Sequence, residues 1–166
     1  RSIITSSLEK DFVERFVYVP GVFDKEECAE IVKIGNAMKL EPAMTTELGV
    51  ENKTSNYRQS RICFFDTVDC PWMTKRLVEV TKQVNENYFK FDIWGYAERF
   101  QFTEYTIGQY YRTHIDKMYG GAIRKLSMVL QLTDPSEYEG GDLQLLETED
   151  PVTLKRDQGT RSEEHT

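Results

Sequence analysis

The chain has 166 residues, 39% hydrophobic and 30% charged, with a formal net charge of -7. That length suits one domain with a sizeable core. The acidic balance speaks against a general nucleic-acid binder, which needs a basic face to displace counterions, and no apolar run approaches the roughly 20 residues that cross a bilayer. No charged stretch leading into an apolar one marks a secretory signal; the chain begins RSII, without Met, which leaves a lost leader open.

Residues 12–23 (FVERFVYVPGVF) are aromatic and β-branched with Pro-Gly punctuation, which predicts a short strand and a turn. Asp24 followed three residues later by Glu27 has the form of a capping box, and Cys28, Ile31, Val32, Gly35 and Met38 recur at helical spacing, so a helix is predicted over 25–39. Residues 41–56 are polar and unpatterned and read as a loop, and RICFFD (61–66) as a strand. Pro71 suits the first position of a second helix, predicted over 71–89 from Met73, Leu77, Val80, Val84 and Tyr88. From residue 96 the period becomes two: Ala97, Arg99, Gln101, Thr103 and Tyr105 take one face, and Glu98, Phe100, Phe102 and Glu104 the other. Strands are predicted at 97–105, 110–116, 124–133, 142–147 and 152–156, broken by Gly108, Gly120-Gly121, Asp134-Pro135 and Gly140-Gly141. Helices followed by a run of antiparallel strands predict an α+β fold with a jelly-roll or barrel-like sheet.

Cys28, Cys63 and Cys70 have no zinc or CxxC spacing and read as free thiols in a reducing compartment, with the cytoplasm as the expected location. Gly140-Gly141-Asp142 lacks the Lys-Ser/Thr and the strand–loop–helix setting of a phosphate loop, so its glycines serve a turn. The segment with most chemistry is TIGQYYRTHIDKMYGG (106–121). On a strand, His114 and Asp116 project together, and an imidazole with a carboxylate suits divalent iron, two members of a facial triad that leaves positions open. By itself the pair is a weak signal, more often the mark of a satisfied structural histidine than of a metal site.

The surroundings of the pair carry more. Tyr105-x-x-Gly108, then His114-x-Asp116, then the apolar strand Leu126–Leu132, then Gly140-Gly141-Asp142, resemble the iron(II)- and 2-oxoglutarate-dependent oxygenases, and within them the prolyl-4-hydroxylase-like branch with its PKHD-type hydroxylases. The resemblance is strong over 97–160 and looser over the helical part before it. It implies a double-stranded β-helix (jelly-roll) core with N-terminal helices packed on the sheet: residues 1–95 as a helical and β support region and 96–160 as a partial oxygenase core, all one domain. It implies His114 and Asp116 as metal ligands and catalytic residues. Tyr105 and Ser127 would contact 2-oxoglutarate, and Tyr111 and Arg112 would line the substrate entrance. Each has a plainer alternative: packing for Tyr105 and Ser127, a solvated strand position for Tyr111 and Arg112.

The last six residues, RSEEHT, equal the in-frame translation of AGATCGGAAGAGCACACG, the start of a common sequencing adaptor. They are expected to be an artefact tail (161–166), which removes His165 as a ligand candidate. The core would then be incomplete at the C-terminus. In the family a second histidine, and further on a basic residue that pairs with 2-oxoglutarate, follow a Gly-Thr or Gly-Ser turn. Here Gly159-Thr160 runs into the tail, so this fragment is expected to be inactive.

For the parent protein the resemblance implies a dioxygenase that uses Fe(II), 2-oxoglutarate and O2 to hydroxylate an unactivated C–H bond, with ascorbate (vitamin C) dependence as a family tendency. Its substrate would be a protein or peptide side chain, as in prolyl hydroxylation, or a small molecule, with no nucleic-acid or membrane partner; the oligomeric state is not legible. Two other readings stay open: a nucleic-acid oxidative demethylase of the same superfamily, and a non-catalytic jelly-roll binding domain.

Overall fold

Asp24 starts the first helix as its side chain dictates, in a computed structural model that describes residues 16–43, 45–47, 50–52, 60–96, 98–109, 125–140, 144–145, 152–153 and 161–165. The Asp24 carboxylate accepts from the Glu27 N–H at 2.8 Å, and the Glu27 carboxylate accepts from the Asp24 N–H at 3.0 Å. Two N-terminal donors that the helix cannot pair internally are thereby satisfied. The helix, α1, runs Lys25–Ala37 and buries Cys28, Ile31 and Gly35. Before it lies strand β1 (Phe16–Val19), within the stretch 12–23 predicted to hold a short strand and a turn.

The predicted loop at 41–56 contains short strands: β2 (Glu41–Pro42), β3 (Thr45–Glu47) and β4 (Val50–Asn52). They were not legible because their residues are polar and do not alternate; backbone pairing to β5 (Arg61–Phe65) and between β3 and β4 defines them. Helix α2 (Pro71–Val84) begins on Pro71 as predicted but ends five residues short of 89. There the backbone widens into one π-helical turn, Asn85–Phe89, closed by Lys90 at φ 58. The Asn85 amide brackets Phe91, donating to its carbonyl at 2.8 Å and accepting from its N–H at 3.0 Å. This buried polar side chain is thus satisfied by backbone that the helix would otherwise have to continue through.

The later strands are β6 (Phe100–Glu104), β7 (Leu126–Leu130), β8 (Gln144–Leu145), β9 (Val152–Thr153) and β10 (Arg161–His165); β6 and β7 are shorter than the predicted 97–105 and 124–133, and no strand was predicted where β10 lies. The predicted strand at 110–116 lies outside the described residues. The strands pair in the orders β2-β5-β6, β1-β10-β7, β3-β4 and β8-β9, all antiparallel. The segment read as a tail is thus the middle strand between β1 and β7.

One core joins both helices to both three-stranded sheets. Cys28 and Ile31 of α1, Met73 and Leu77 of α2, Cys63 and Phe65 of β5, with Val22, Phe23 and Cys70, form its buried centre. Val19, Phe100, Phe102, Met128 and Leu130 pack against it from β1, β6 and β7. Burial of these side chains, each worth roughly 1.5–3 kcal/mol, fixes which face of each strand meets the helices.

Arg76 ties the helices together at the surface of this core. Its guanidinium donates to the Glu27 carboxylate at 2.5 Å and to the Val22 carbonyl at 3.2 Å, and lies 4.9 Å from the Phe23 ring centre. The hydrogen bond from Arg76, then that from the Asp24 N–H, holds the Glu27 carboxyl below its ordinary 4.5. A depressed folded-state value stabilises the fold above the ordinary value and is lost as pH falls through the depressed one. The stability difference between the wild type and Glu27→Gln is therefore expected to be constant above about pH 5.5 and to shrink as pH drops below 4.5. Its size is roughly 0.2–1 kcal/mol, as for partly exposed pairs. Urea unfolding across pH measures it; a difference that grows on acidification contradicts the assignment.

Candidate active site

β5 and β6 present two chemically different faces. Their register opposes Cys63 to Phe102, Phe65 to Phe100 and Arg61 to Glu104, and on the other face Phe64 to Gln101 and Ile62 to Thr103. The first set meets the helices, with Cys63, Phe65, Phe100 and Phe102 in the core layer. The second is turned away and carries polar groups. Gln101 Nε2 donates to Thr103 Oγ1 at 2.9 Å, and the Arg99 guanidinium lies 5.0 Å from the Phe64 ring centre and 3.7 Å from an Asp66 carboxylate oxygen. The alternation read in the sequence from residue 96 is the alternation seen over Phe100–Glu104.

Tyr105 follows directly on β6, and alternation continues the outward row through Gln101 and Thr103 to it. It is 47% exposed. The Tyr-x-x-Gly motif is a turn. The Gln109 N–H donates to the Thr106 carbonyl at 2.9 Å, the Thr106 N–H donates to Gln109 Oε1 at 2.9 Å, and Gly108 has φ +79, a conformation that side chains resist. The glycine therefore lets the chain reverse immediately after Tyr105.

β7 repeats the division. Met128 and Leu130 pack on the core, so Ser127 and Val129 occupy the opposite face. Ser127 is half-buried and Val129 is 40% exposed. Tyr105, just past β6, and Ser127, on β7 of the other sheet, thus both belong to rows turned away from the packed core. Sequence reading missed Gln101 and Thr103 as polar companions of Tyr105, although the period of two already placed them on its face.

His114, Asp116, Tyr111 and Arg112 lie outside the described residues. Among the described residues no group of three or more His, Cys, Asp or Glu side chains is gathered that could hold a metal. Cys28, Cys63 and Cys70 are buried and are not joined in a disulfide. Desolvation pushes the thiols of Cys63 and Cys70 up, which makes them poor nucleophiles at neutral pH.

Residues 100–164 match the sequence model of the 2OG-Fe(II) oxygenase superfamily. Over that span the chain is similar to the 2-oxoglutarate-dependent dioxygenases. The cofactors this superfamily implies are Fe(II), 2-oxoglutarate and O2. Two solved structures share the fold. The first is a prolyl-4-hydroxylase of Pseudomonas putida, with a TM-score of 0.69 and 17% identity, over 98% of this chain and 86% of that one. The second is a viral collagen prolyl hydroxylase from Paramecium bursaria Chlorella virus-1 in complex with 2OG, with a TM-score of 0.66 and 20% identity, over 92% and 78% of the two chains. No curated protein sequence matches the chain. Among the described residues no helix is long and apolar enough to cross a membrane.

Proposed function

We propose that the oxygenase hydroxylates an unactivated C–H bond of a protein or peptide side chain, as its prolyl-hydroxylating neighbours do. What supports this reading is that Ser127 on β7 and, by continued alternation, Tyr105 just past β6 belong to the rows turned away from the packed core. Those rows would line the inside of a double-stranded β-helix, with residues 1–95 as support, 96–160 as the partial core, and 161–166 foreign to the protein. His114 and Asp116 would hold the iron, a donor set suited to Fe(II). Iron with 2-oxoglutarate and O2 supplies the oxidising power, releasing succinate and CO2. The Tyr105 hydroxyl would donate to a 2-oxoglutarate carboxylate, Ser127 would add a second contact, and Tyr111 and Arg112 would orient the substrate. The net charge of -7 weighs against a nucleic-acid substrate, and the buried free thiols fit a reducing compartment such as the cytoplasm.

With residues 161–166 read as foreign, His114 is the one histidine of the sequence up to Thr160, so the chain as written would lack a second histidine ligand and would not turn over. Activity is therefore to be measured on the protein with its native sequence after that residue. There, Tyr105→Phe is expected to weaken 2-oxoglutarate affinity about ten- to hundredfold, the loss of a hydrogen bond to a charged acceptor, with Ser127→Ala weaker in effect. Succinate release against 2-oxoglutarate concentration reads this. An unchanged KM in Tyr105→Phe would remove that residue from the site.

A further inference from the structure

The β5–β6 register ends at Arg61 opposite Glu104, one residue before Tyr105. The chain after Tyr105 is held by its turn, and one residue closes that turn twice. The Gln109 N–H donates to the Thr106 carbonyl at 2.9 Å, and Gln109 Oε1 accepts from the Thr106 N–H at 2.9 Å. The Thr106 N–H lies in the same planar peptide unit as the Tyr105 carbonyl. Its hydrogen bond to the Gln109 side chain therefore fixes ψ at Tyr105, and the rotamers open to a side chain depend on φ and ψ. The turn has little packing of its own: Tyr105 is 47% exposed, Thr106 is exposed and Ile107 is fully exposed, while Gln109 is half-buried.

We propose that Gln109 is a positioning residue for cosubstrate binding: its amide oxygen clamps the Thr106 peptide and so aims the Tyr105 hydroxyl at a carboxylate of 2-oxoglutarate. The inference rests on Tyr105 as a 2-oxoglutarate contact, proposed above. The main-chain closure is open to any residue but proline at position 109, whereas the side-chain closure needs an acceptor with the reach of Gln or Glu. The clamp sits on an exposed reversal, where substitutions change stability little. Its loss is therefore felt in binding more than in folding. Tyr105 then samples more rotamers, and the ligand meets the competent one less often.

Hydrogen exchange at the Thr106 amide of the full chain reads the clamp without any cofactor. Gln109→Met keeps the side-chain length but not the amide and is expected to speed that exchange about three- to tenfold. Gln109→Glu, whose carboxylate accepts as well, is expected to leave the amide protected. Binding is read by titrating 2-oxoglutarate, with Mn(II) in place of Fe(II), into the protein with its native sequence after Thr160. Gln109→Met is expected to weaken it about three- to tenfold, with Tm within about 3 °C of wild type, and Gln109→Glu to weaken it less. Added to Tyr105→Phe, Gln109→Met is expected to cost nothing further, because it acts through the Tyr105 hydroxyl. Unchanged Thr106 exchange in Gln109→Met, a fully additive loss in the double variant, or unchanged affinity in Gln109→Met beside a weakened Tyr105→Phe overturns this proposal alone. Unchanged affinity in Tyr105→Phe overturns the reading of Tyr105 and this proposal with it.

Discussion

Phe65→Ala is expected to lower the unfolding free energy by about 3–5 kcal/mol, a large share of the 5–15 kcal/mol that domains typically possess. Phe65 is 2% exposed and sits in the core centre with Ile31, Met73 and Leu77. Its ring stacks on that of Phe102 across the β5–β6 pair, with centres 5.9 Å apart and planes 18° from parallel. Truncation removes the apolar contact and leaves a cavity between two helices and a sheet, which packed elements close only in part. Phe65→Leu keeps most of the volume and is expected to cost less than about 1.5 kcal/mol. Urea unfolding of the three proteins distinguishes them; similar losses for alanine and leucine would mean that ring stacking, not filled volume, sets the cost.

Gly35→Val is expected to cost about 2–3 kcal/mol by the opposite route, overpacking. A Cβ at Gly35 would stand 2.8 Å from three carbons of the Phe102 ring. The ring cannot retreat, because Phe65 is stacked against it. The Gly35 carbonyl also accepts from the Cys63 thiol at 3.7 Å, so the helix backbone is held close to β5. Even Gly35→Ala, which gains up to about 1 kcal/mol of helix propensity, is expected to destabilise. Phe102→Leu makes room, so its combination with Gly35→Val should cost less than the sum of the two, with a coupling of about 0.5–3 kcal/mol. A Gly35→Ala protein more stable than wild type would show that α1 and β6 do not approach so closely.

What could be read in advance follows the range of the forces involved. Helix α1 was legible because its cap is a local exchange between Asp24 and Glu27, three residues apart. The end of α2 was not, because it depends on the Asn85 amide finding the Phe91 backbone after a widened turn, which no helical period encodes. The two faces of β6 were legible, since strict alternation over Phe100–Glu104 states them directly. The pairing of β1, β10 and β7 was not: it joins residues near both ends of the sequence by backbone groups that every residue carries, and the polar β10 gives no side-chain signal for it. On the functional side, the Tyr-x-x-Gly motif is realised as a turn after Tyr105. Alternation within each strand turns Tyr105 and Ser127 away from the row that packs on the core.

The most direct test is succinate release from 2-oxoglutarate with Fe(II), by the protein carrying its native sequence after Thr160 and by its His114→Ala variant. The account predicts that the native sequence brings a second histidine followed by a basic residue, that succinate forms, and that His114→Ala lowers the rate at least about a thousandfold, as loss of an iron ligand should. A folded protein that has the second histidine yet releases no succinate, or a His114→Ala variant as active as its parent, would contradict it.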